Sequence, residues 1–176
     1  TFAAMGQPSA RGQFVHLYLN GLYWGLYNLA ERPSAPFLAG IQGGSSSDYD
    51  LRNSDKVLSG DTNTWDRLFA MVNAGVTNDA TWQQVTNLLD VTNFADYMLV
   101  NYYGANADWD RASNWYAGRR RDPPGRYQFF VWDGERTLEQ VADDRMDFDD
   151  DQSPSRLFQQ LKQSKEFRAL FVERIR

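Results

Sequence analysis

Between Tyr102 and Glu135 the chain gathers side chains whose oxygens can bind a hard cation or move a proton. Asn106, Asp108, Asp110 and Asn114 precede one aromatic run, and Asp133 and Glu135 follow a second. Residues 115–118 and 127–132 read as two strands, and the Asp-Pro-Pro-Gly of residues 122–125 is a strong turn signal between them. A hairpin brings its ends together, so two loops distant in sequence are expected to share one place. Carboxylate and amide oxygens suit Mg²⁺ or Mn²⁺ far better than Zn²⁺. The chain contains no cysteine, which excludes thiolate metal sites, cysteine nucleophiles and disulfides.

The elements that must position these groups are legible as patterns. A helix opening at Asp90 or Thr92 carries Phe94, Tyr97, Met98, Asn101 and Tyr102 at helical spacing and stops at Gly104, delivering the chain into the first loop. Two earlier helices are expected. One spans residues 61–73 with Trp65, Leu68, Phe69 and Val72 on one stripe; the other is capped by Asn78 or Asp79 and buries Trp82, Val85, Leu88 and Leu89. Near the N-terminus, residues 13–19 and 22–29 alternate as strands around Asn20-Gly21, the strongest two-residue hairpin signal, with Gly25 a candidate bulge. Residues 33–50 are rich in Gly, Ser and Pro and read as loop, with a helical turn over 36–41. Helices follow from Ser153, with Leu157, Phe158 and Leu161 buried, and over residues 166–176.

Composition narrows the function classes. At 176 residues with 42% hydrophobic and 15% aromatic content, the chain suits one packed domain. A net charge of −5 excludes the broad basic footprint of a nucleic-acid binder. The run Arg119-Arg120-Arg121 reads as a solvated hairpin tip, and His16, the single histidine, as an outer strand residue. No apolar run reaches membrane-spanning length. Asp147, Asp149 and Asp151 have the opening spacing of a calcium loop, but Gln152 and Phe158 stand where its glycine and closing glutamate belong, so a solvated acidic loop is expected. The start at Thr1 and the end at Arg176 inside a helical pattern lead to the expectation of a single partial domain over residues 1–176, truncated at both ends.

Paired carboxylates serve several chemistries. Glycoside hydrolysis needs one acid with a raised pKa, and metal-assisted hydrolysis needs a base to position water, for which no residue stands out. Phosphoryl transfer needs a carboxylate near the attacking hydroxyl, then an amide and a carboxylate to hold the bridging metal. The order Asp108, Asn114, strand hairpin, Asp133 matches that last requirement.

The strings Val-His-Leu-Tyr-Leu-Asn-Gly-Leu-Tyr-Trp-Gly-Leu-Tyr-Asn-Leu-Ala-Glu (residues 15–31), Asn-Ala-Asp-Trp (106–109), Asn114-Trp-Tyr and Phe-Phe-Val-Trp-Asp-Gly-Glu (129–135) resemble the CotH kinase family, over most of the chain. The resemblance implies a divergent protein-kinase-like fold, export or display on the cell or spore surface, and transfer of phosphate from ATP to protein hydroxyls. It implies Asp108 as the base for the substrate hydroxyl, Asn114 and Asp133 as metal ligands, Glu135 as a further metal contact, and Glu31 as a residue orienting the nucleotide. Protein kinases set the asparagine five positions after the aspartate; here Asp108 lies six before Asn114 and Asp110 four before, so both aspartates stay candidates. The family's upstream strands with their ATP-contacting Arg and Lys are missing, and Lys56, Lys162 and Lys165 do not replace them, so weak nucleotide binding without turnover is expected of this piece alone.

The expected architecture is therefore α+β: an N-terminal β-hairpin packed on a mainly helical body that resembles a kinase C-lobe, with a second β-hairpin at the site. The expected function is Mg²⁺- or Mn²⁺-dependent phosphorylation of Ser or Thr on exported or surface proteins, using ATP, within a longer polypeptide. The alternative is a non-catalytic surface or scaffold module that retains the fold.

Overall fold

The computed structural model describes residues 2–110, 114–140 and 142–176. Strands β1 (Gly12–Leu19) and β2 (Leu22–Ala30) form an antiparallel hairpin. Asn20 and Gly21 both have positive φ, 50° and 81°, as a type I′ turn requires. The register slips one residue between Leu17 and Tyr18, leaving Trp24 as the extra residue of a bulge beside Gly25 (φ 133°). After β2 come α1 (Ala35–Gln42), β3 (Tyr49–Asn53), β4 (Lys56–Ser59), α2 (Asn63–Asn73), α3 (Asp79–Leu88) and α4 (Val91–Tyr103). Strands β5 (Trp115–Arg120) and β6 (Gln128–Val131) follow, then α5 (Pro154–Leu161) and α6 (Lys165–Ile175).

The second hairpin is half of a larger sheet. Strands β3 and β4, in a stretch that the sequence presents largely as loop, pair antiparallel and extend it to a four-stranded sheet of order β4-β3-β5-β6. Both faces of this sheet are covered. On one, Trp115, Ala117 and Phe129 join Trp65, Phe69, Phe94, Tyr97 and Leu157 in the main core. Trp65 sits at its centre, fully buried, with ring centroids 4.9 Å from Phe69, 5.7 Å from Trp115 and 5.2 Å from Tyr127. On the other face Tyr116, Phe130 and Leu51 pack under Leu38 of α1. Gly118 lets α1 approach: a Cβ there would lie 2.5 Å from Leu38 Cδ1.

Two buried ion clusters fasten the layers. Asp50 on β3 accepts from Arg119 Nε at 3.1 Å, Arg121 Nη1 at 3.2 Å and the Asp61 amide at 3.1 Å. Arg120 faces Asp48 at 3.7 Å, so the arginine run is not a solvated tip but a clamp from β5 onto β3. Asp96 of α4, fully buried, accepts from Arg174 Nε and Nη2 at 2.7 and 2.8 Å and from Gln7 Nε2 at 2.6 Å, tying α6 and the N-terminal segment to α4. Asn93 holds the β6 backbone through the Phe129 N–H at 2.6 Å.

The β1–β2 hairpin does not pack on the body along its length. Phe14, Leu22 and Leu29 are 70%, 70% and 68% exposed, and only Val15, Leu17 and Gly25 are half-buried. His16 lies on the outer surface as expected, its Nδ1 3.1 Å from Tyr23 Oη. Among the described residues no helix is long and apolar enough to cross a membrane.

Candidate active site

Helix α4 sets the first loop. The Asn101 side-chain amide donates to the Tyr97 carbonyl at 2.9 Å, and its Oδ1 accepts from Asn106 Nδ2 at 3.0 Å. Asn106 Oδ1 in turn accepts from the Asp108 amide at 3.3 Å, so a relay of two buried amides carries the helix geometry out to Asp108. Trp109 anchors the next position, fully buried against Tyr97, Tyr102 and Phe148.

The second loop lies against the first. The Ala107 amide donates to the Arg136 carbonyl at 2.9 Å, and the Leu138 amide to the Gly104 carbonyl at 2.7 Å. The Arg136 guanidinium holds Glu139 through two bonds of 3.1 Å, and that pairing raises its pKa. Trp115 and Val131 are the last paired residues of β5 and β6. Asn114 and Trp132 come next beyond that pair, and Asp133 one residue further, so strand register alone brings Asn114 and Asp133 to the same end of the sheet. Asp133 is exposed and left-handed at φ 55°, a conformation that costs about 1 kcal/mol or more outside glycine and tends to persist at functional sites. Glu135, also exposed, follows in the same turn.

Asp108 and Asp110 part company. Asp110 is 4% exposed and both its oxygens are engaged: Oδ2 accepts from Ser153 Oγ at 3.0 Å and Oδ1 from the Ser155 amide at 2.9 Å. It thus supplies a carboxylate to the first turn of α5, where the helix dipole favours one. Burial pushes its carboxyl up to about 7, the Ser155 and Ser153 hydrogen bonds oppose the rise, and Asp150 adds to it. Asp108 Oδ1, by contrast, is buried and has no hydrogen-bond partner among the described residues. Leaving a buried carboxylate oxygen unpaired costs about 1–3 kcal/mol or more, and with Asp110 fully engaged Asp108 is the aspartate of the two with an acceptor to spare.

Glu31 lies at the base of the exposed hairpin. Its Oε2 accepts from the Arg11 amide at 2.9 Å, and its own amide donates to the Arg11 carbonyl at 2.8 Å. The structure thus brings the Asp108 loop, Asn114, Asp133 and Glu135 to one end of the sheet, turns Asp110 inward onto α5, and leaves Glu31 on the hairpin. Sequence reasoning missed the positioning role of Asn106, although an Asn two residues before an Asp is a readable side-chain turn signal. It also missed Ser153 and Ser155 as partners of Asp110, for which no local signal exists.

Among the described residues no three His, Asp or Glu side chains stand together as a ready metal cage. A Mg²⁺ ion does not require such a cage, since it commonly takes one or two carboxylates and completes its shell with phosphate oxygens and water. Asn114 and Asp133, both beyond the Trp115–Val131 pair, are the residues that the sequence offers for such an ion.

The family model described as CotH kinase protein matches residues 2–176. No curated protein matches the chain. With the match running over essentially its whole length, the chain belongs to the CotH kinase family.

Proposed function

We propose that this chain carries the phosphotransfer site of an ATP-dependent kinase that modifies Ser or Thr hydroxyls of exported or surface-displayed proteins. The observation that carries the reading is the buried Asp108 Oδ1, without a hydrogen-bond partner among the described residues and on the loop bonded to the one bearing Asp133. In this reading Asp108, not Asp110, is the base, because Asp110 has both oxygens committed to α5. A substrate hydroxyl hydrogen-bonded to Asp108 Oδ1 gives up its proton there. Its oxygen bonds to the γ-phosphorus, and the bond to the β–γ bridging oxygen breaks to release ADP. A Mg²⁺ or Mn²⁺ ion held beside the phosphates would supply positive charge opposite their oxygens. Asn114 and Asp133 would hold that ion, with Glu135 as an outer contact and Glu31 on the nucleotide side. The amide relay through Asn101 and Asn106 keeps Asp108 oriented, and the main-chain bonds between the two loops keep base and metal ligands in step.

The test uses the full-length polypeptide with Mn²⁺, labelled ATP and a Ser/Thr-containing acceptor. Asp108→Asn and Asp133→Asn are each expected to lower incorporation by at least about a hundredfold, on the scale of losing a general base or a transition-state charge partner. Asp110→Asn is expected to leave far more activity. Equal incorporation in native and Asp133→Asn protein would overturn the metal assignment, and none in either would favour the scaffold module.

A further inference from the structure

The three lysines stand away from the candidate site. Lys56 lies on β4, with two strands between it and β6, while Lys162 and Lys165 sit where α5 meets α6, the latter facing Asp79 at 3.8 Å. Among the described residues no lysine therefore stands beside Asp108, Asp133 and Glu135. Arg136 is already engaged with Glu139. Among the described residues an exposed arginine also reaches this end of the sheet. Arg32, in the short connection between β2 and α1, donates from Nε to Tyr116 Oη at 2.7 Å. Its guanidinium carbon stands 5.5 Å from the Trp132 ring centroid and 6.0 Å from that of Tyr116. The two rings meet edge to face at 5.8 Å, and Trp132 immediately precedes Asp133.

Two further facts bear on what this arginine can bind. No carboxylate of the described residues lies within ion-pair distance of it, whereas Arg119, Arg121, Arg136 and Arg174 each hold one. Its side chain is exposed, and neither Nη makes a hydrogen bond among the described residues. The guanidinium is thus fixed by one hydrogen bond and two rings while its outer N–H groups stay open. That is the preorganised fork that suits an oxyanion in two-point contact, with little side-chain entropy left to lose.

We propose that Arg32 binds phosphate oxygens of the donor nucleotide, with its two Nη groups donating and Tyr116 and Trp132 holding the plane. The inference rests on the phosphotransfer reading of the Asp108–Asp133 site and assigns that site a phosphate-binding cation. Tyr116 is then a positioning residue that acts through Arg32.

The test measures steady-state phosphotransfer by the full-length polypeptide, with ATP varied, and competition by tripolyphosphate and by adenosine. Arg32→Met is expected to raise the KM for ATP about tenfold or more with kcat changed less than about threefold, and to weaken tripolyphosphate inhibition by a similar factor. Adenosine inhibition should be unchanged. Arg32→Lys should recover part of the loss, and Arg32→Gln, which keeps an amide donor for Tyr116 Oη without the charge, should behave like Arg32→Met. If Arg32→Gln binds tripolyphosphate as native protein does, or if only adenosine or acceptor binding weakens, the assignment to phosphate is overturned. Asp133→Asn separates the two layers: activity lost there but unaffected in Arg32→Gln overturns this inference alone, whereas activity retained in Asp133→Asn overturns the reading beneath it.

Discussion

The β1–β2 hairpin and the β3–β6 sheet use charge in opposite ways. Residues 12–30 contain no Asp, Glu, Lys or Arg, yet most of their side chains face solvent. The sheet carries Asp50, Arg52 and Arg119 on its strands, and all three are buried. In the sheet each such charge has a cross-strand or stacking partner: Asp50 with Arg119 and Arg121, and Arg52 with its guanidinium carbon 4.3 Å from the Trp65 ring centroid. The contrast shows that burial here comes from layering, not from hydrophobicity. The sheet lies between α1 on one face and α2, α4 and α5 on the other, whereas the hairpin has no layer on either face and is held mainly at its base. A two-stranded hairpin without a partner is marginally stable in water, so the two regions should differ sharply in what a substitution does.

The largest effect is expected at the centre of the sheet's core. Trp65→Ala should cost about 3–5 kcal/mol of stability, since it empties a site bounded by Phe69, Trp115, Tyr127 and Phe129. Urea unfolding reads this directly, and a loss under about 1 kcal/mol would break the comparison at its stronger end. A middle effect concerns Asp110. Its carboxyl titrates near 7 when folded and near 3.8 when unfolded, so the folded state holds its proton more tightly. The associated stability is complete below about pH 4 and is lost as pH rises through 7, by no more than about 4 kcal/mol. Asp110→Asn, which can still accept from the Ser155 amide, should flatten the urea midpoint between pH 4 and pH 8; an unchanged slope would show that another group carries it. The smallest effect belongs to the hairpin. Phe14→Ser should move global stability by less than about 0.5 kcal/mol, and the amides of β1 should exchange with deuterium well before those of β5. Equal protection in the two strands would erase the distinction.

Much of this architecture was legible, and the part that was not has a common cause. Asn20-Gly21 announces its turn through local backbone preference, and the stripes of α2, α3 and α4 announce their faces, because these signals act within a few residues. Strands β3 and β4 were hidden. Tyr-Asp-Leu-Arg-Asn reads as polar loop until Arg119 and Arg121, 69 and 71 residues away, make Asp50 fit for burial. The same limit applies at the site. Asp108 and Asp110 are identical in type and two apart, and what separates them is the first turn of α5, more than 40 residues downstream. Arg32 drew no notice for the same reason: its value lies in Tyr116 and Trp132, 84 and 100 residues further along the chain. Its neighbour Glu31 carried the family string and received the attention instead.

The paired main-chain bonds Ala107 N–Arg136 O and Leu138 N–Gly104 O make segment length, more than residue identity, the controlled variable around Asp108. Backbone donors and acceptors do not change when a side chain does, so many replacements at Ala107 or Arg136 preserve the alignment. One inserted or deleted residue in either segment slides one past the other by about 3.4 Å, the span of an extended residue. Natural variation through these stretches is thus expected to run to substitutions, with gaps displaced to the acidic stretch after Glu139.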